Sequence, residues 1–387
     1  MSKILLLSPW VPPPDGVGFH SIALVKSWRA AGHDVIVVTS NSRDRKSSPS
    51  ASPDNNETRV ERRLSVWPRK ATTRLLVDYQ PDIVIVQFTI ASQSTTLFST
   101  LRLMRVARRS GVPVLVAFHE SSREIDRLGP LSRWIYRVAA RNTTHPVVYS
   151  TAGSASLTRA GIFSHVTEVP HGCAPVEEIS AEDFARVRDR YAIAAPLVLS
   201  LGFAHIDKGT ELLVASVSGV HQRLEGKVQF LIAGFPRDRR GVFRIMGRAD
   251  QKFQSVLLKR VGLLRGVSID LCGFVPDEDV APLLSIASAV VLPYRRATQS
   301  GIANLALSAR AVIVASDIRE LRSDLGTAAR YFHSGSVVDL TDTLESVLSH
   351  SQDEMRTAAG TRAAERSYDT TAESLLKIGL LGSITRP

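Results

Sequence analysis

Short, unbroken runs of Val, Ile, Leu and Ala recur along the chain. They fall at 4–7, 35–38, 83–86, 114–118 and 147–149 in the first half and at 197–201, 230–233, 269–272, 289–292 and 312–315 in the second. Runs of this length without polar alternation predict strands buried on both faces, as in a parallel sheet covered by helices on either side. Helical stretches lie between them, at 18–31, 92–109, 208–221, 279–288 and 300–309. Strands alternating with helices imply right-handed crossovers. The pattern is laid down twice, with a break at 171–195 that holds Pro175, a charged helix near 182–191 and, just beyond, Pro196. A single ten-stranded sheet is uncommon, so two doubly wound α/β domains facing each other are expected. Residues 41–58 are polar, Ser-rich and carry two prolines, which predicts a mobile loop. The stretch 352–381 is helical without strands and is long enough to cross back to the first domain.

Composition narrows this picture. The chain has 387 residues, 44% hydrophobic and 22% charged, enough for two full cores. Two cysteines, Cys173 and Cys272, exclude a disulfide scaffold and a four-cysteine zinc site, and free thiols fit a reducing cytoplasm. No run reaches the roughly 18 apolar residues of a membrane span. The run at 4–7 is too short for a signal-peptide core and is followed by Pro12, Pro13 and Pro14. A cytoplasmic chain is therefore expected. Lys and Arg number 48 against 37 Asp and Glu, a net charge of +11, and residues 1–180 hold 22 of the bases against 14 acids. A basic first half suggests an anionic partner: membrane phospholipid, a phosphorylated substrate or nucleic acid. The last rests on charge alone, without an aromatic-rich strand platform, and no nucleic-acid partner is expected.

Candidate chemistry clusters after the strands. Gly16 and Gly18 precede a helix and allow backbone close to a ligand. The spacing Gly16-x-Gly18-x-x-Ser21 only resembles a dinucleotide fingerprint, and no acidic residue closes the second strand. No GxxxxGK[ST] occurs, which excludes a P-loop nucleotidase. His119 and Glu120 follow the strand at 114–118, at the end where open α/β sheets bind ligands. The strand at 197–201 leads to Gly202 and then to Lys208-Gly209 at a helix start, where a lysine opposes the macrodipole unless an anion binds beside it. Arg295, Arg296, Thr298, Gln299, Ser300 and Gly301 follow the strand at 289–292, joining unpaired main-chain amides to two guanidinium groups suited to phosphate. Asp277-Glu278-Asp279 looks like a metal site but stands before an apolar helix, where acids serve as caps. No other acid, His or Cys cluster has metal-ligand spacing, and neither a nucleophile elbow nor a Cys–His dyad is present.

Over nearly its whole length the chain resembles the GT-B-fold nucleotide-sugar glycosyltransferases, specifically the retaining family 4 group. The resemblance is carried by Asp15-Gly16-Val17-Gly18, by the segment from Arg29 through Gly32-His33 to Val35, by His119, and by Val169-Pro170-His171-Gly172. In the second half it is carried by Gly202 with Lys208-Gly209, by Gly273-Phe274-Val275-Pro276, by 293–301 and by 312–316. The sequence departs from the family where two glutamates usually flank the donor helix, since Thr298 and Ala306 stand there. Phe203 replaces an expected Arg, and Ala309-Arg310-Ala311 replaces Gly-x-Pro. The sequence is close to a branch with Ala-Thr-Gln-Ser-Gly at 297–301 in place of the acidic motif.

The resemblance implies two Rossmann-like domains. An acceptor-binding domain would span 1–175, a donor-binding domain 176–365, and a helix at 366–387 would return to the first domain. It implies transfer of a sugar from a nucleotide diphosphate-sugar to a glycan, lipid-linked or small-molecule acceptor, as in polysaccharide biosynthesis, without metal or other cofactor. His119, Lys208 and Arg295 would be catalytic. Gly16, Gly202, Lys208, Phe274, Val275, Arg295, Thr298, Gln299, Ser300, Gly301 and Ile302 would bind donor; Asp15, Gly16, His20 and Glu120 would bind acceptor. Epimerisation of a nucleotide sugar and non-catalytic nucleotide or glycan binding stay open as alternatives. Arg102, Arg105, Arg108 and Arg109 at helical spacing mark a surface for peripheral contact with an anionic membrane, or an ordinary solvated face.

Overall fold

The computed structural model describes residues 1–10, 16–39, 60–63, 69–91, 93, 96–175, 178–202, 205–234, 244–264, 266–273, 275–297 and 300–381. The loop expected at 41–58, together with Asp15, Phe203, Phe274, Thr298 and Gln299, lies outside these residues. The chain forms two compact units, 1–172 with 368–387, and 173–367.

In the first unit, β1 (Lys3–Ser8), β2 (Asp34–Thr39), β3 (Val60–Arg63), β4 (Ile83–Phe88), β5 (Val114–Phe118), β6 (His145–Val148) and β7 (Thr167–Glu168) form a parallel sheet in the order β3-β2-β1-β4-β5-β6-β7. The crossovers are α1 (Gly16–Ala30), α2 (Arg69–Tyr79), α3 (Leu97–Arg109), α4 (Ser121–Arg141) and α5 (Thr151–Arg159). The apolar runs are unbroken because alternate residues feed different cores. Ile4, Leu6, Ile83, Ile85 and Leu115 pack under α1, while Leu5, Leu7, Val84, Val86 and Val116 pack under α2, α3 and α4.

The second unit opens with α6 (Ala181–Arg190), started by a reciprocal cap between Ser180 and Asp183. Its strands are β8 (Leu197–Leu201), β9 (Gln229–Ala233), β10 (Ser268–Cys272), β11 (Ala289–Leu292), β12 (Ile313–Ser316) and β13 (Ala329–Phe332), parallel in the order β10-β9-β8-β11-β12-β13. The helices are α7 (Thr210–Arg223), α8 (Arg244–Val261), α9 (Asp277–Ile286), α10 (Gly301–Ser308), α11 (Arg319–Leu325), α12 (Val337–Leu348) and α13 (Asp353–Glu365).

Asp277, Glu278 and Asp279 form the first turn of α9, where acids favour the helix dipole, but the N-cap is Pro276 and none of them caps the helix as expected. Asp279, its side chain fully buried, instead accepts from Arg186 Nε at 3.2 Å, Arg190 Nη1 at 2.5 Å and Tyr191 Oη at 3.1 Å, tying α9 to α6. The helical stretch expected at 352–381 is broken at Arg366 and Ser367. α13 stays with the second unit, and α14 (Tyr368–Leu381) returns to the first. There Trp28 Nε1 donates to Ala372 O at 3.0 Å, and Gly379 sits so close to β4 that a Cβ would fall 2.1 Å from Ile83 Cδ1. Among the described residues no helix is long and apolar enough to cross a membrane.

Candidate functional site

In the second sheet the strand order reverses between β8 and β11, so helices leave on opposite faces and the loops following these two strands diverge at the carboxyl end. Such a switch point is where open α/β sheets bind ligands. The two loops are locked together. Gly209, at φ +62°, lies where a Cβ would be 1.8 Å from Pro293 O, and Asp207 O accepts from Arg295 N at 2.9 Å and Arg296 N at 3.3 Å. His205 Nδ1 caps the short turn Ile206–Lys208 by accepting from Asp207 N at 3.1 Å.

This junction fixes Lys208. Its Nζ stands 3.7 Å from the centroid of the Tyr294 ring, a cation–π contact that holds the ammonium in one place. Tyr294 is itself buried. Its Oη lies 3.0 Å from Ser300 Oγ, and its carbonyl accepts from Ser316 Oγ at 2.6 Å. Ser300 Oγ also accepts from Ala303 N at 3.2 Å as the N-cap of α10; the amides of Gly301 and Ile302, at the first positions of the helix, are not part of its internal hydrogen-bond ladder. Lys208 and Tyr294 line a cavity of about 90 Å³ with Gly202, Gly234 and Gly273, which end β8, β9 and β10. The apolar wall is made by Leu257 and Leu258 of α8 with Leu271 and Cys272 of β10, and Gln254 supplies a carboxamide.

The expected donor residues separate on this geometry. Gly202 and Lys208 line the cavity, and Ile302 packs near Gly202, 3.6 Å from the site of a Cβ there. Val275 is buried in the core of the second unit and Ser300 is spent on capping. Arg295 is brought beside Lys208 by its main chain, but its guanidinium turns to Glu211, with Nε 2.7 Å from Oε1. The other oxygen, Glu211 Oε2, is buried without a hydrogen-bond partner among the described residues. Ala306, which stands where a glutamate was expected, is fully buried within α10.

The first unit gathers a second constellation. His20 on α1, His119 after β5, Tyr149 after β6, His171 and Tyr368 form one aromatic cluster, with His20 at centroid distances of 4.2 Å from His171, 4.8 Å from Tyr149, 5.4 Å from Tyr368 and 5.5 Å from His119. Both ring nitrogens of His20 are buried without a hydrogen-bond partner among the described residues. His119 Nε2 lies 2.6 Å from Gln87 Oε1, which also accepts from Tyr149 Oη at 3.3 Å. Burial, and then the neighbouring His171, pushes His119 down to about 3; burial, His171 and His119 hold His20 well below the usual histidine range. Both rings are therefore neutral at pH 7, and His119 acts as a hydrogen-bonding group rather than a cation. Glu120, partly exposed, precedes α4 without capping it, and Gly16 is exposed at the start of α1. Behind them Glu124 accepts from Ile90 N at 3.0 Å, Ala91 N at 2.9 Å and Tyr136 Oη at 2.7 Å, and burial raises it to about 7.

Glu211, Gln87, Tyr149, Glu124 and Tyr368 are not marked by the sequence motifs, and Tyr294 stood in the 293–301 segment without a role of its own. Their roles depend on loops or segments far apart in the chain. His171 was legible as part of a motif but not as a partner of His20. Among the described residues no group of three or more His, Cys, Asp or Glu side chains is arranged to hold a metal ion.

Two family patterns match the chain: Glycosyltransferase Family 4 over residues 14–175, and Glycosyl transferases group 1 over residues 195–350. No curated protein sequence matches it. Among solved structures, a glycosyltransferase from Rickettsia africae ESF-5 is similar with a TM-score of 0.71 at 14% identity, over 100% of this chain and 99% of that one. HepE of Anabaena in complex with UDP is similar with a TM-score of 0.71 at 14% identity, over 97% and 98%. Sucrose-phosphate synthase of Thermosynechococcus elongatus is similar with a TM-score of 0.66 at 15% identity, over 98% of each chain.

Proposed function

The chain belongs to the GT-B glycosyltransferases, and from that premise we propose that it is a retaining enzyme moving a sugar from a nucleotide diphosphate-sugar to a hydroxyl acceptor, with the second unit holding the donor. The observation that carries the reading is Lys208, clamped on Tyr294 at the switch point of the second sheet. As the bond from the sugar's anomeric carbon to the diphosphate oxygen breaks, negative charge grows on that oxygen. Lys208 Nζ and the first amides of α10, at Gly301 and Ile302, stabilise it, the helix start adding its own positive end. Glycines closing β8, β9 and β10 let the main chain approach the diphosphate and ribose without a side chain intervening. Arg295 acts at one remove: paired to Glu211, it braces the junction that positions Lys208. The structure of HepE with UDP supports a nucleoside diphosphate as the ligand class.

The first unit takes the acceptor in this reading. Neutral His119, oriented by Gln87, offers a hydrogen bond to a sugar hydroxyl, and Glu120 is the nearby partly exposed carboxylate. A transfer assay with nucleotide-sugar and acceptor panels tests the scheme, the product's anomeric configuration being read by NMR. Removing one such electrostatic donor typically costs about 100-fold or more in rate. Lys208→Ala is expected to lose at least about tenfold, and a wild-type rate in that variant would overturn the role. Sugar changed without an acceptor would indicate epimerisation instead.

A further inference from the structure

We propose that the first unit carries a docking face for an anionic lipid bilayer, built from the outward sides of α3 and the second half of α4. The two helices touch and lie on the same side of the sheet, since Leu101, Leu103 and Met104 of α3 share one core with Ile135, Tyr136 and Ala139 of α4. Their outer surfaces therefore belong to one face.

On α3, Phe98, Arg102, Arg105 and Arg109 follow each other at steps of four, three and four residues, which places them on one stripe. On α4, beyond the kink at Gly129 and Pro130, Leu131 and Trp134 are followed by Arg137 and Arg141 in the same helical rhythm. Each helix segment thus leads with apolar side chains and ends in arginines. Phe98 is 77% exposed, Leu131 66% and Trp134 54%, while Arg102, Arg105, Arg108, Arg109, Arg133, Arg137 and Arg141 are all exposed. Neither α3 nor residues 130–141 contains an acidic side chain.

Three large apolar side chains held in water have no function within the fold, because the same helices already fill the core with their inner faces. A bilayer explains both features together. Phe, Trp and Leu enter the boundary between headgroups and acyl chains, and the arginines reach lipid phosphates at the same depth, their stems along the apolar surface. Nucleic acid would satisfy the arginines but leave Leu131 in water, and so fits less of the face. The inference is independent of how the second unit treats its donor.

Flotation of the full chain with vesicles tests it. The protein is expected to rise with phosphatidylcholine vesicles containing about 30% phosphatidylglycerol, and not with phosphatidylcholine alone. Each arginine near an anionic surface contributes about fivefold. The combined change of Arg105, Arg109, Arg137 and Arg141 to Gln should therefore cut binding at least about tenfold. Phe98→Ser with Trp134→Ser should also cut it, and should remove the part that survives high salt. Nucleotide binding by the second unit, read by calorimetry, should be unchanged in both variants, which separates this face from the donor site. Absence of flotation, equal flotation with neutral vesicles, or wild-type flotation of both variants would overturn the proposal. A protein that ignores vesicles but binds a single-stranded RNA through the same arginines would do so as well.

Discussion

Replacing Gly209 with alanine tests the junction that fixes Lys208. The residue has φ +62°, and an added Cβ would lie 1.8 Å from Pro293 O and 3.0 Å from Pro293 C. Both are backbone atoms of the loop after β11, itself held by Asp207 O, so no flexible side chain is there to yield. The left-handed conformation costs alanine about 1–2 kcal/mol. Overpacking of this kind adds about 1–3 kcal/mol. The sum, about 2–5 kcal/mol, lowers the melting of a body of this size by about 4–20 °C. Scanning calorimetry reads the second unit's transition, and titration calorimetry reads nucleotide affinity. Gly273→Ala is the control: it lines the same cavity, its φ is not left-handed, and nothing lies within 4 Å of its Cβ site. The control should melt like the wild type. Gly209→Ala should melt lower and bind nucleotide more weakly, because Lys208 and the β11 loop are forced apart. Wild-type melting and affinity in Gly209→Ala would refute the reasoning.

Two pH dependences follow from the first unit. Glu124 is raised by burial to about 7, with Glu120 adding to the rise and the amides of Ile90 and Ala91 and the Tyr136 hydroxyl opposing it. The folded state therefore binds this proton more tightly than the unfolded chain. Its contribution is complete below pH 4.5 and fades as pH rises to 7, a change of about 3 kcal/mol. Glu124→Gln removes that term, so the stability of wild type relative to the variant should fall by this amount from pH 4.5 to 7 in denaturant titrations; a constant difference would contradict it. His119 is lowered to about 3 by burial and His171, so its contribution is present above pH 6.5 and is lost as pH falls toward 3. His119→Gln should shrink the loss of stability between pH 7 and pH 5 by about 2 kcal/mol, and an unchanged loss would show that the ring titrates normally.

The central strands were legible because burial on both faces demands apolar residues at every position, as in 83–86 and 289–292. β3, β7 and β13 were not. β3 is Val-Glu-Arg-Arg, β7 is two residues long, and β13 carries Arg330 and Tyr331 at an edge where covering is incomplete. In the site, Gly202 and Lys208 were visible because they follow a buried strand and a lysine at a helix start opposes the macrodipole unless an anion binds beside it. The ring under Lys208 was not visible, since the stacking of Lys208 on Tyr294 joins two loops that lie far apart in the chain. Tyr368 joins His171 and His20 only because α14 packs back on the first sheet, a contact between residues nearly 350 apart. Arg295 read as a free cation, and its partner Glu211 lies 84 positions away. Phe98 and Trp134 passed unmarked in the sequence; their exposure is seen once Leu101, Leu103, Met104, Ile135 and Tyr136 are found to fill the core from the opposite sides of α3 and α4.

Titration calorimetry of the intact chain with UDP, GDP and ADP, beside the Lys208→Ala variant, tests the donor site most directly. At least one nucleoside diphosphate should bind the wild type, with at least about tenfold weaker binding by the variant. Binding of none of the three, or undiminished binding by Lys208→Ala, would contradict the account.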